Sequence, residues 1–140
     1  MYLSYLINNI KESAIDSTIT HIFFNYIKLA FNTQLSEAVD AGNKFAFSLD
    51  NKYFIINFRG IHLTIEAYSD VVENIFKEIT DVILNSNVSE SVFKEVIEIT
   101  YNEFKEKENA APYQKAFMIF NKIIERNSTH YTENLKVYSL

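Results

Sequence analysis

The hydrophobic and polar positions of residues 44–60 form two apolar runs around a short polar break. Phe45, Phe47 and Leu49 alternate with Ala46 and Ser48, Asp50-Asn51 follows, and Tyr53, Phe54, Ile55, Ile56 and Phe58 lead to Gly60. Alternation with a period of two predicts β-strands. Asp-Asn suits a two-residue hairpin turn, because both residues tolerate positive φ better than most non-glycines. With Asp50 and Asn51 as the loop, Phe47 faces Phe54 and Phe45 faces Ile56. Phe45, Phe47, Phe54, Ile56 and Phe58 then share one apolar face, while Ala46, Ser48, Tyr53, Ile55, Asn57 and Arg59 share a mostly polar one. The expectation is an antiparallel hairpin that covers something on one side.

The rest of the chain reads chiefly at helical spacing. Residues 2–7 are rich in β-formers and predict a strand that stops at Asn8-Asn9. A helix over 17–40, capped by Asp16 or Ser17, carries Ile19, Ile22, Phe23, Tyr26, Ile27, Ala30 and Phe31 and ends before Gly42-Asn43. After the strands at 44–49 and 52–59, Thr64 is the expected cap of a helix over 65–84. Its stripe is Ile65, Tyr68, Val72, Ile75, Phe76, Ile79, Val82 and Ile83, with Glu73 and Lys77 paired at i, i+4. A third helix over 90–107 follows Ser89 and carries Val92, Phe93, Val96, Ile97, Tyr101 and Phe104. Pro112 opens a fourth over 112–126, which is expected to bury Phe117, Phe120, Ile123 and Ile124. Thr132 is the expected cap of a last helix over 133–139. The order β-α-β-β-α-α-α-α predicts an α+β fold, a small antiparallel sheet with helices packed on one face.

Composition narrows the function classes. The 140 residues suffice for a single domain over 1–140, and 48% hydrophobic content argues against disorder. With 2 glycines and 1 proline there is little material for phosphate-cradling loops. A net charge of −5 without a basic run speaks against a nucleic-acid partner. The absence of cysteine removes disulfides, thiolate metal sites and cysteine nucleophiles. The N-terminus carries no basic region or small-residue cleavage site, and no segment reaches the ~20 apolar residues of a membrane span. A cytoplasmic protein without a membrane partner is the resulting expectation.

Three strands leave open edges, where a partner or further chain would fit. The chain is therefore expected to be part of something larger, or to pair through an edge.

The stretch Tyr26-Ile-Lys-Leu-Ala-Phe-Asn-Thr-Gln-Leu-Ser-Glu-Ala-Val-Asp-Ala-Gly-Asn-Lys-Phe45 is similar to a family segment in which a helix runs through a Gly-aromatic step into a hairpin. Phe54-Ile-Ile-Asn-Phe-Arg-Gly60 looks like the strand end of the same family. Phe93-Lys-Glu-Val-Ile-Glu-Ile-Thr-Tyr-Asn-Glu-Phe104, followed by Pro112-Tyr-Gln-Lys-Ala116, resembles its paired helices joined through a proline-containing link. Together these segments resemble the middle, or third, domain of the insulinase-like (pitrilysin, M16) zinc metallopeptidases, and the likeness covers most of the chain in unbroken order. The resemblance implies repeated α+β domains in two halves around a chamber. It further implies zinc on an inverted His-x-x-Glu-His motif in the first domain, and a third domain that forms chamber wall without catalysing. Expected partners are then the other domains of a parent peptidase and peptide substrate.

A direct search for chemistry points the same way. A zinc helix needs two histidines about one turn apart and a base, whereas His21, His62 and His130 are isolated from one another. His62 reads as a loop histidine, His21 as a helix-boundary residue, and His130 as part of a polar turn. Glu90, Glu95, Glu98, Glu103, Glu106 and Glu108 interleave with Lys94, Lys105 and Lys107, the pattern of a solvated face. No nucleophile elbow is present. No catalytic residue, metal ligand or cofactor is assigned to this chain. The sheet face through Tyr53, Ile55, Asn57 and Arg59 is the candidate partner surface. The function expected is a non-catalytic, chamber-forming domain of a zinc metallopeptidase. The alternative is a stand-alone interaction module or homodimer that reuses the fold.

Overall fold

The computed structural model describes residues 2–6, 13–34, 36–40, 42–52, 58–67, 69–85, 88–124 and 129–139. Their order is β1 (Tyr2–Leu6), α1 (Ala14–Gln34), α2 (Ser36–Asp40), β2 (Lys44–Lys52), β3 (Phe58–Glu66), α3 (Ser69–Asn85) and α4 (Glu90–Glu106), then a 3-10 turn at Lys107–Asn109, α5 (Pro112–Ile124) and α6 (Tyr131–Val137). They fall into two compact units. One holds Met1–Asn8 and Tyr26–Glu90, the other Asn9–Asn25 and Ser91–Leu140.

The first unit holds a three-stranded antiparallel sheet in the order β1-β3-β2. Its register differs from the expected tight hairpin. β2 runs through Asp50 and Asn51, and Phe45, Phe47 and Leu49 pair with Ile65, Leu63 and Ile61. The physical reason lies in the pairs. The short-turn register sets Leu49 against Lys52, whereas the observed one sets three apolar residues against three others. It also sets Lys44 against Glu66, whose charges lie 3.6 Å apart, and it avoids demanding positive φ from Asp50 and Asn51. Thr64 and Ile65, expected at a helix start, therefore belong to β3, and α3 begins only at Ser69. His62 is likewise a central-strand residue between Ser4 and Ser48.

These differences overturn the α+β layer with helices on one face. Six helices dominate the described residues, and the strands are confined to one unit. Segments with a 3.6-residue period outweigh those with a period of two, and the helical period extends through both units.

In the first unit, Ile27, Phe31, Ile65, Ile75, Ile79 and Val82 are buried. Ile75, Ile79 and Val82 recur at i, i+4, i+7, so one stripe of α3 faces inward. Glu73 and Lys77 pair at 2.9 Å on its exposed side, as the spacing predicts. The expected single helix over 17–40 is two segments, α1 and α2. After α2 the Gly42 N–H donates to the Val39 carbonyl at 2.9 Å, with Gly42 at φ +91°. A Cβ there meets nothing within 4 Å, so the cost of Gly42→Ala is backbone strain alone. We expect about 1 kcal/mol of destabilisation in urea unfolding. A gain in stability would show that the positive φ is not required.

In the second unit, α1 starts one turn earlier than expected. Ser13 is its cap: its Oγ accepts from the Asp16 N–H at 3.1 Å and donates to the Asp16 carboxylate at 2.5 Å. The first half of α1 also turns the opposite way from its apolar stripe. Ser17, Thr18, Thr20 and Asn25 are buried, while Ile15, Ile19 and Phe23 are exposed. The buried hydroxyls of Thr18 and Thr20 are satisfied by the carbonyls of Ala14 and Asp16, at 2.7 and 2.8 Å. Pro112 takes the first position of α5 as predicted. The helix nevertheless exposes Phe117, Phe120, Ile123 and Ile124, which were expected in the core. Its half-buried side is Lys115, Met118, Asn121 and Lys122. Lys122 on that side forms an ion pair with Glu133 of α6.

Candidate functional site

The polar chemistry of the second unit gathers where α1 meets α4. Val96, Thr100 and Phe104 recur at i, i+4, i+8 and form the buried stripe of α4. Asn25 of α1 reaches this stripe. Its Nδ2 donates to Thr100 Oγ1 at 3.1 Å and to Glu103 Oε2 at 2.8 Å. Thr100 Oγ1 in turn donates a hydrogen bond to the Val96 carbonyl at 2.7 Å. Asn25 and Thr100 are both buried, so this short ladder satisfies groups that would otherwise be costly to desolvate.

Tyr138 closes one end of the ladder. Its ring meets Tyr101 edge-on at 5.3 Å. Burial, with the Glu103 charge behind it, pushes the phenol up to about 12. The neighbouring Thr100 hydroxyl pulls the other way, without meeting hydrogen-bond geometry with Tyr138 Oη.

Beside the ladder lies a cleft of about 460 Å³. His21 and Phe104 form one wall, their rings 5.0 Å apart and tilted 60°. The His21 Nδ1–H donates to the Ser17 carbonyl at 2.8 Å, which fixes the ring's orientation. Lys107 Nζ sits 5.0 Å over the Phe104 ring. Burial lowers the Lys107 pKa, and the Glu103 carboxylate opposes that shift. Gln114 and Met118 of α5 line another part of the cleft, and Gln114 Oε1 accepts from the Ala111 N–H at 3.0 Å. Glu103 and Glu106 also line it, so its charges are mixed. Such a cleft can hold a polar group by hydrogen bonds. It brings no hydroxyl or thiol nucleophile beside a base, the arrangement that covalent catalysis uses.

A second polar cluster joins α1 to α6. Thr129 Oγ1 donates to Ser17 Oγ at 2.7 Å, and Asn134 Nδ2 approaches the same oxygen at 3.4 Å. His130, rather than Thr132, holds the cap position of α6, and its N–H donates to Glu133 Oε2 at 3.2 Å. Desolvation lowers the His130 pKa, helped by Lys122 and Lys107 and opposed by Glu133.

Glu133 also takes Lys122, and that contact, more than any other, holds its carboxyl below the ordinary range. A lowered folded-state pKa means that the stabilisation is complete above the unfolded value of 4.5 and is lost as pH falls through the folded one. Both side chains are over a third exposed, so water screens the pair. Glu133→Gln is expected to cost about 0.5–1 kcal/mol at pH 7 and to flatten the stability profile below pH 4.5. Urea unfolding of both proteins across that range checks it, and parallel profiles would contradict it.

The candidate partner surface is not assembled among the described residues. Tyr53, Ile55 and Asn57 lie outside them, and Arg59 lies in β3 opposite Asn51. The three histidines stand on α1, on β3 and at the start of α6. Among the described residues no group of three or more His, Cys, Asp or Glu side chains is placed to hold a metal ion. None of their helices is long and apolar enough to cross a membrane. Sequence reasoning passed over Asn25, Thr100, Gln114 and Met118, and read Lys107, which is half-buried, as part of a solvated face. A signal for the first existed: Asn25 interrupts the apolar run Ile22-Phe23-Phe24-Asn25-Tyr26-Ile27, as a polar residue with a buried partner does.

No curated protein and no solved structure matches the chain. One family model does, that of the "Middle or third domain of peptidase_M16", over residues 1–137. With nearly its whole length matched in this way, the chain belongs to the middle-domain family of the M16 peptidases.

Proposed function

We propose that this chain is a non-catalytic, chamber-forming domain of an insulinase-like zinc metallopeptidase, where it helps to enclose peptide substrate. The observation that carries this reading is the family match over residues 1–137. A domain described as middle or third works beside others in the same polypeptide. In this reading zinc and the water-activating base come from a catalytic domain of the parent enzyme, in the cytoplasm. The domain contributes wall and support. The residues Tyr53, Ile55, Asn57 and Arg59 are one proposed contact with neighbouring domains or substrate.

The size of the native polypeptide tests the reading. An antibody raised against this domain should detect, in source-cell lysate, a band several times larger than the 16.3 kDa of the chain. A band at 16.3 kDa would instead favour a stand-alone interaction module. The purified chain is further expected to cleave no peptide substrate. Hydrolysis that survives replacement of His21, His62 and His130 would place a catalytic site within it and overturn the proposal.

A further inference from the structure

α6 is held to its neighbours chiefly by polar contacts. It is seven residues long, too short to be a stable helix by itself in water. Its buried residue is Asn134, 2% exposed, whose Oδ1 finds no hydrogen-bond donor among the described residues. Leu135 and Val137 are only half-buried. Asn134 Nδ2 and Thr129 Oγ1 both reach Ser17 Oγ on α1. Tyr138 adds its edge-on contact with Tyr101 of α4, and Glu133 adds its ion pair with Lys122 of α5. Local stability follows buried apolar contacts, so α6 can open without the rest of its unit.

A titratable group stands at the N-terminal end of this helix. His130 holds the cap position, and its N–H donates to Glu133 Oε2 at 3.2 Å. Its ring lies against Tyr131, centroids 4.3 Å apart, with Nδ1 2.9 Å from Thr132 Oγ1. The charges that act on the ring are Lys122 of α5, Lys107 of the 3-10 turn and Glu133 of α6 itself. α1 meets this end of α6 through the uncharged Ser17, and Glu103 of α4 acts on Tyr138 at the other end. Glu133 is the anion of the set, and Lys122 and the His130 N–H already engage it. A proton on His130 therefore adds a further cation around one carboxylate. It also puts positive charge at the end of a helix that disfavours it.

We propose that α6 is an acid-released latch, docked on α1 and α5 while His130 is neutral and opening locally when His130 takes up a proton. Burial, together with the two lysines, lowers the pKa of the docked ring from the ordinary 6.5, and Glu133 opposes them without prevailing. Docking is then complete above 6.5 and weakens as pH falls from there towards the docked value. The device belongs to this chain and holds whether or not the peptidase reading does.

Amide hydrogen exchange of the whole chain from about pH 8 to about pH 5, the range in which histidine titrates, tests it. With rates corrected for the intrinsic pH dependence of exchange, opening of α6 should rise as pH falls, by up to about tenfold per pH unit, the limit for one proton. The amides of α4 from Val96 to Phe104 should not follow. His130→Asn keeps a good cap and removes the titrating ring, so its α6 should stay docked throughout. Opening of α6 that ignores pH in the native chain would overturn the proposal. So would a pH dependence that survives in His130→Asn, which would assign the proton to another group such as His21. An α6 already unprotected at about pH 8 would remove the docked state. Loosening of α4 in step with α6 would replace local release by unfolding of the whole unit.

Discussion

Leu63→Pro should come close to unfolding the protein. Leu63 lies in β3, the central strand, opposite Leu3 of β1 and Phe47 of β2. Both sides of the strand are paired there, so its N–H is engaged whichever way it points. Proline removes that donor and sets its ring against the ladder. The expected loss is at least about 3 kcal/mol, against a total stability of ~5–15 kcal/mol for a domain. Urea unfolding followed by far-ultraviolet circular dichroism checks it. The variant also separates two readings of this segment. Apolar spacing alone sets Leu63 just before a helix capped by Thr64, where proline is harmless. A variant with native stability would restore that reading and remove β3 from the sheet.

Phe104→Ala is expected to cost about 3–5 kcal/mol, the range for an aromatic side chain removed from a packed interior. Phe104 is 2% exposed and is the bulkiest member of the buried stripe on α4. It backs the His21 ring and carries the Lys107 ammonium over its face. Water admitted to the vacated space relieves the desolvation of Lys107. The lysine pKa should therefore rise towards 10.5, its ordinary value, while amide exchange in α4 accelerates. Thermal and urea unfolding give the first quantity, and nitrogen-detected magnetic resonance of the lysine gives the second. A loss under about 1 kcal/mol with an unmoved Lys107 would place the Phe104 ring at the surface.

Individual residues show how far the sequence could be read. Ile75, Ile79 and Val82 announce the inward stripe of α3, and the structure buries all three. Glu73 and Lys77 are at the right distance to pair, and they do. Pro112 marks the start of a helix because its missing N–H is harmless there. Gly42 marks the end of one because it accepts positive φ. Each of these signals is local: its physical cause lies within a few residues along the chain.

The errors share the opposite property. Asp50-Asn51 is an acceptable turn by itself. Only the partners offered by Ile61, Leu63 and Ile65 make the longer hairpin preferable. Ile19, Phe23, Phe117 and Phe120 have the apolar character of core residues, yet the fold leaves them exposed. Periodicity tells which side of a helix is apolar, not which side the rest of the chain meets. In α1 the buried side was chosen by Asn25 finding Thr100 and Glu103, and by Ser17 finding Thr129. In α5 the inward side carries Lys122, which pairs with Glu133. These partners lie between eleven and 112 residues away.

The sequence by itself therefore determined the helices with strong periods, their punctuation at Pro112 and Gly42, and the family resemblance carried by segments in unbroken order. Tertiary structure alone decided the register of β3, the cleft between His21 and Lys107, and the outward turn of the apolar side of α5. The reason is physical. Propensity, capping and turn chemistry act over one or two helical turns, whereas strand pairing and the choice of buried face depend on contacts between residues that only folding brings together.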